Sequence, residues 1–319
     1  MSAVSPATHR NSTNVRSVWA YAWTRLNLAV TATLAPAKAV DTAARLFATP
    51  PRHEHSAREL ELLSTGTRYD IASAYGPLAA WRFGRADRPA VMLVHGWGGR
   101  GAQLRVFVPT LLEAGFQVVL FDHAGHGFSS AGQSSLVHFI AGLEAVIAEA
   151  EARGVKIAGL VGHSLGAAAV GTWLNQSRRG IRAVLVAPPT SVERYSGHFA
   201  RRLGIPEPVR RAMQERFERT LGRRWSDFEL PQAVANVQAP ALVIHDAGDR
   251  EVPQASGLAL ARAWKGARFL RTRGLGHRTI LRDPAVVRDA VDFLEGAVVF
   301  APPPAPGDRL AFNAPAPIL

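Results

Sequence analysis

Six short runs with little polar interruption recur through the middle of the chain: Ala90 to Val94, Gln117 to Phe121, Ile157 to Val161, Ala183 to Ala187, Ala241 to Ile244 and Arg268 to Leu270. Runs that stay apolar instead of alternating suit strands covered on both faces. Between them, Leu104 to Glu113, Leu136 to Ala152 and Leu165 to Arg178 repeat apolar residues at helical spacing. This alternation predicts an α/β chain: a mostly parallel central sheet, helices on both sides and right-handed crossovers.

The rhythm breaks between Pro188-Pro189 and Pro240, where two Arg- and Glu-rich helical stretches, Val192 to Leu203 and Glu207 to Leu221, replace any strand. Glu207 with Arg211 and Glu215 with Arg219 are spaced for surface ion pairs of a few tenths of a kcal/mol. A small helical insertion over the sheet edge is predicted, at about residues 190–237. Before the core, residues 1–40 hold Arg10, Arg16, Arg25 and Lys38 and no acid, with Trp19, Tyr21, Trp23, Leu26, Leu28 and Val30 between them. Three readings compete for this segment. It is a helix packed on the main domain, an interfacial helix held by aromatic and basic side chains, or a signal peptide ending at Ala37-Lys38-Ala39. The positive region of a signal peptide would be unusually long here, which favours the helical readings and a cytoplasmic protein with peripheral membrane contact through its N-terminal segment. The signal-peptide reading would instead make the protein exported. No uninterrupted apolar stretch reaches the roughly 18–20 residues of a membrane span. Pro50-Pro51 stops the helix. The division expected is an N-terminal helical extension at 1–57, a core at 58–300 carrying the insertion, and a Pro-rich extended tail at 301–319.

Composition narrows the chemistry. The 319 residues include no cysteine, which removes thiol nucleophiles, disulfides, iron–sulfur clusters and cysteine zinc sites. With 47% hydrophobic and 19% charged residues the chain can bury a core. Lys and Arg number 37 against 25 Asp and Glu, a net charge of +12 that raises nucleic acid or an anionic surface as partner. The excess is nearly all Arg, no five basic residues are consecutive, and no nucleic-acid recognition motif is present, so nucleic acid is set aside.

The candidate chemistry centres on Gly162-His163-Ser164-Leu165-Gly166, where an apolar strand runs into Gly-x-Ser-x-Gly and then an alanine-rich helix. That context suits a nucleophile elbow, a sharp turn whose neighbouring glycines leave the serine hydroxyl exposed. Upstream, His95-Gly96-Trp97-Gly98-Gly99 follows a strand and can aim a backbone N–H at the serine. The amides of Trp97 and Leu165 are the expected oxyanion donors, with His95 bracing the loop. No Gly-Lys-Ser or Gly-Lys-Thr follows, so a nucleotide loop is excluded. A serine needs a base, and the base an acid. His277, in Gly274-Leu275-Gly276-His277, supplies the first. Asp249 is the preferred acid; Asp246 and Glu251 compete for the role, and Asp246, which directly ends its strand, can instead brace the turn. His123 and His126 superficially resemble a metal pair but lie on a glycine-rich turn without a third ligand, so no metal is expected. His163 is expected to be structural.

In these motifs, and in the segment from Phe121 to Ser129 and Asp249-Arg250-Glu251-Val252-Pro253, the sequence resembles the α/β-hydrolase superfamily over roughly Arg82 to Leu294. The resemblance implies Ser164 as nucleophile, His277 as base, Asp249 as acid, and the insertion as a cap over the substrate. It implies no cofactor. The expected activity is a serine hydrolase cleaving carboxylic esters of short to medium acyl chain, a small-molecule substrate, through an acyl-enzyme. Thioesterase, lactonase and carbon–carbon hydrolase activities belong to the same architecture. A non-catalytic, hydrolase-like module binding a membrane or protein is the alternative of another class.

Overall fold

In the computed structural model, residues 12–130 and 132–296 are described; the expected Pro-rich tail lies outside them. The strands are β1 (Thr67–Ile71), β2 (Leu78–Phe83), β3 (Ala90–Val94), β4 (Gln117–Phe121), β5 (Ile157–His163), β6 (Arg182–Val186), β7 (Ala241–Asp246) and β8 (Arg268–Thr272). The helices are α1 (Ser12–Leu34), α2 (Pro36–Ala48), α3 (Ala57–Thr65), α4 (Phe107–Glu113), α5 (Leu136–Ala152), α6 (Leu165–Ser177), α7 (Val192–Leu203) and α8 (Glu207–Leu221). They continue as α9 (Leu230–Ala233), α10 (Gln254–Ala263), α11 (Gly276–Thr279) and α12 (Pro284–Glu295). Among the described residues no helix is long and apolar enough to cross a membrane.

One sheet runs in the order β1-β2-β4-β3-β5-β6-β7-β8. Its pairs from β4 to β8 are parallel, and β1 and β2 are attached antiparallel at one end. Alternate strand residues feed two cores. Met92, Val94, Leu160 and Leu185 face one, with Ile140, Leu143 and Val170 of α5 and α6. Val91, Leu93, Val161 and Val184 face the other, with Leu111 of α4 and Val287 and Val291 of α12. Covering on both faces is why β3 to β7 read as continuous apolar runs. The sequence pattern did not announce β1 and β2: Thr67-Arg68-Tyr69-Asp70-Ile71 forms a polar, mostly exposed edge, and β2 is rich in alanine. Helix α4 starts at Phe107, later than predicted, because a 3-10 turn takes Gly101–Leu104.

The chain divides into two compact units. One contains the sheet and its flanking helices, from Thr49 to Val192 and from Ser226 on. The other joins the described N-terminal residues up to Ala48 with Glu193–Trp225. The expected division gave the N-terminal helices and the insertion separately, and this grouping places most of the two together. In this second unit α2 buries Ala39, Ala43 and Ala44, and α8 buries Val209 and Met213. The ring of Phe47 meets those of Phe199, Trp225, Phe217 and Tyr195 at centroid distances of 5.2, 5.6, 5.7 and 5.9 Å. Asp41 pairs with Arg216. The last part of the predicted insertion belongs with the sheet instead: Leu230 and Val234 lie in its core.

Candidate active site

The C-terminal ends of parallel strands share one edge of the sheet, where ligands of open α/β sheets gather. The registers Val94↔Gly162 and His163↔Val186 place the end of β5 between those of β3 and β6. There the chain turns at Ser164, with φ 51° and ψ −122°, a conformation strained for any residue with a side chain. Its N–H bonds to Val186 O at 2.9 Å and its carbonyl accepts from Ala168 N at 3.1 Å, so strand and helix together enforce the turn. The flanking glycines are needed for close approach. A Cβ on Gly166 would lie 2.4 Å from both His95 O and Val94 O, and one on Gly162 2.7 Å from Ala167 Cα. Leu165 begins α6, so its amide has no partner within the helix and faces the turn region with the helix dipole behind it.

The loop from His95 to Gly101 is seated against that turn. A Cβ on Gly96 would stand 2.9 Å from Ser164 Cβ. His95 and His126 each have one consistent tautomer. His95 donates Nδ1–H to Gly96 O at 2.8 Å and accepts His123 N–H on Nε2 at 3.0 Å. His126 accepts the Gly98 N–H at 3.1 Å, and its Nδ1 lies 3.0 Å from Ala124 O. Asp122 accepts the Gly101 N–H at 2.7 Å and the Phe128 N–H at 2.8 Å, and the Ser129 hydroxyl donates to its carbonyl at 2.6 Å. Arg100, at the far end of the loop, pairs with the buried Glu59 at 2.6 Å. The segment Phe121 to Ser129 is thus a brace for the loop carrying Trp97. Burial keeps His95 neutral far below the ordinary histidine range, lowers His126 to about 4 and raises Asp122 to about 6. His123 stacks on Phe139 at 3.7 Å with neither ring nitrogen hydrogen-bonded, a core position without a ligand partner.

On the other side of the turn, the buried His277 places Nδ1 2.7 Å from Asp249 Oδ2. A carboxylate only accepts, so Nδ1–H is the donor of this contact and Nε2 is the ring nitrogen left for the serine. The His277 carbonyl accepts His163 Nε2–H at 2.9 Å, and the two rings lie 4.8 Å apart, which ties His277 to the residue preceding Ser164. Burial, with the neighbouring His277, lowers His163 to about 3. Asp249 Oδ1 accepts the N–H groups of Glu251 and Val252 at 2.8 and 2.9 Å. Burial opposes its charge, but bonds from His245, His277 and Val252 hold it well below the usual carboxylate range. Asp246 makes no such contact with a ring. It accepts from Gly248 N at 2.8 Å, Thr272 Oγ1 at 2.8 Å and Leu275 N at 3.1 Å, tying the loop after β7 to the loop after β8.

Sequence reasoning overlooked His245. Fully buried, it donates Nε2–H to Val252 O at 3.0 Å and stands 3.4 Å from Asp249 Oδ2. Gly257 gives the ring room, since a Cβ there would fall 2.4 Å from His245 Nδ1. Its place as the penultimate residue of β7, four before Asp249, was the available signal.

A strained serine at a strand–helix turn, beside an imidazole held by a carboxylate, on a sheet of this order, defines the α/β-hydrolase architecture. The family model described as serine aminopeptidase, S33, matches residues 85–230. A pyrethroid hydrolase of Sphingobium wenxiniae is 32% identical over 115 residues, which are 33% of this chain and 39% of that protein. The matched region therefore spans less than half the length of that relative. Among solved structures, an esterase of Pyrococcus furiosus is similar with a TM-score of 0.61 and 20% identity, over 78% of this chain and 98% of that one. Carboxylesterase CesB of Bacillus subtilis is similar with a TM-score of 0.56 and 18% identity, over 75% and 95%. The chain shares the α/β-hydrolase fold of these structures, and the family model covers somewhat less than half of its 319 residues.

Proposed function

We propose that the protein is a serine hydrolase that cleaves carboxylic esters through an acyl-enzyme. The observation that carries this reading is the 2.7 Å contact of Asp249 with His277 next to the strained Ser164 turn. In this mechanism His277 Nε2 takes the Ser164 hydroxyl proton as Oγ attacks the ester carbonyl. The amides of Trp97 and Leu165 hold the oxyanion. Collapse of the tetrahedral intermediate breaks the bond to the alcohol oxygen, which leaves with the proton from His277. Water, deprotonated by His277, then attacks the acyl-enzyme, and Ser164 recovers its proton as the acid departs. Asp249 fixes the tautomer and stabilises the transient imidazolium. No cofactor takes part.

We take the insertion between β6 and β7 as the cap, from its place in the chain, and its small size favours short to medium acyl groups. The experiment is a panel of p-nitrophenyl esters of increasing chain length, a pyrethroid, thioesters, lactones and an aminoacyl p-nitroanilide, run on wild type and Ser164→Ala. The reading expects ester turnover that falls at long chain length and disappears in the variant. Preference for the anilide would favour the peptidase activity in the matching family's description.

A further inference from the structure

The first helix turns its apolar side outward. Trp19, Trp23, Leu26, Val30 and Leu34 follow one another at steps of four, three, four and four, which places them on one narrow stripe of α1. All are exposed, at 71%, 67%, 57%, 46% and 78%. The opposite side already has its partners. Leu28 is buried, the Tyr21 hydroxyl donates to Arg202 O of α7, and the Arg25 guanidinium lies 3.4 Å from where a Gly204 Cβ would be. The stripe is therefore not needed to hold α1 within its unit.

The unit that carries the stripe is also strongly basic. The unit formed by the chain up to Ala48 and by Glu193–Trp225 holds fourteen Lys or Arg against five Asp or Glu, a net +9. The rest of the chain holds 23 against 20, a net +3. Residues 1–40 contain no acid at all. Two tryptophans and three aliphatic side chains on one exposed helix face, in a unit this basic, match the chemistry of an anionic lipid surface: there the rings would sit at headgroup depth, the aliphatic chains reach the acyl boundary, and the cations meet lipid phosphates. A protein partner would instead need a groove shaped to the stripe.

We propose that this unit docks on an anionic bilayer, with α1 lying in the interface plane and the stripe from Trp19 to Leu34 inserted. The proposal goes beyond the hydrolase reading and does not depend on it: Ser164→Ala binds vesicles as wild type does.

The test uses the full chain, sedimented with vesicles of phosphatidylcholine alone or mixed in equal parts with phosphatidylglycerol, at about 0.15 M salt. Wild type is expected to partition onto the mixed vesicles at least about tenfold more strongly than onto phosphatidylcholine, and to lose most of that binding in high salt. The triple variant Trp19→Ser, Trp23→Ser, Leu26→Ser and the single variant Val30→Asp are expected to bind about tenfold more weakly or worse. Circular dichroism and the thermal midpoint establish that each variant is folded; Val30→Asp, at a solvent-facing position, keeps the test valid if the triple variant is not. Absence of wild-type binding to mixed vesicles, equal binding to both lipids, or unchanged binding by a folded variant overturns the proposal. So does a concentration-dependent dimer, seen by ultracentrifugation without lipid, that the same substitutions dissolve, since it assigns the stripe to a second copy.

Discussion

Asp249 accepts the His277 imidazole at 2.7 Å through the same oxygen that stands 3.4 Å from His245 Nε2. The carboxylate that would orient the base is thus itself confined between two rings and two backbone amides. Asp249→Asn keeps the volume but offers His277 an amide in place of a charge, so the imidazole loses its tautomer preference. Steady-state kinetics on an ester should give a fall in kcat of about three to four powers of ten with a nearly unchanged thermal midpoint. Asp246→Asn should do the reverse: Asp246 joins Gly248, Thr272 and Leu275, so the midpoint drops while the folded enzyme keeps most of its kcat.

His245 acts on this pair from behind. In His245→Phe the ring shape remains, but the N–H shared between Val252 O and the Asp249 carboxylate is gone. The Asp249 loop then loosens. We expect kcat to fall about tenfold with little change in KM, and the pH at which the acid limb of kcat/KM falls to move, because the charge that orients His277 is less well held. A loss of stability with an unshifted pH profile would mean that His245 only packs.

Acid should unfold this protein through its buried histidines. An unfolded chain takes up protons on histidine near 6.5, whereas His126 and His163 in the fold refuse them until about 4 and about 3. Their folded values are depressed, so the stability they contribute is present above 6.5 and is lost as pH falls toward 4 and below, on the order of 3 kcal/mol for His126. Asp122 works against this: raised to about 6, it is protonated in the fold first and gains stability as pH falls from 6 toward 4. Two histidines outweigh one carboxyl. Calorimetry between pH 7 and pH 4 should give a falling midpoint, and His126→Gln, which keeps a donor and an acceptor without the titration, should flatten it.

Gly166→Ala tests the close approach of β3 and α6. The added methyl would meet two carbonyl oxygens of backbone, which cannot swing aside as a side chain tip can. A loss of about 3 kcal/mol or more in denaturant unfolding is expected, with ester turnover reduced further because the displaced loop carries the Trp97 amide.

Much of this arrangement was legible in the sequence because the features that carry it are local. Ser164 sits in a five-residue pattern between a strand and a helix, and the parallel strands β3 to β7 are largely apolar because both faces are covered. What escaped depends on contacts distant in sequence. β1 is a polar edge whose strand character comes from pairing with β2, and the partnership of Phe47 with Phe199, Phe217 and Trp225 joins segments some 150 to 180 residues apart. His245 looks like an ordinary buried strand residue until the loop after β7 folds Asp249 back over it.

The central claim is that Ser164 is the nucleophile. Intact mass and peptide mapping after a brief exposure to a fluorophosphonate probe measure this directly. The account predicts a single adduct per chain on Ser164, absent from Ser164→Ala and formed far more slowly in a folded Asp249→Asn. An adduct at another residue, or a wild-type protein that stays unlabelled while fully folded, would contradict it.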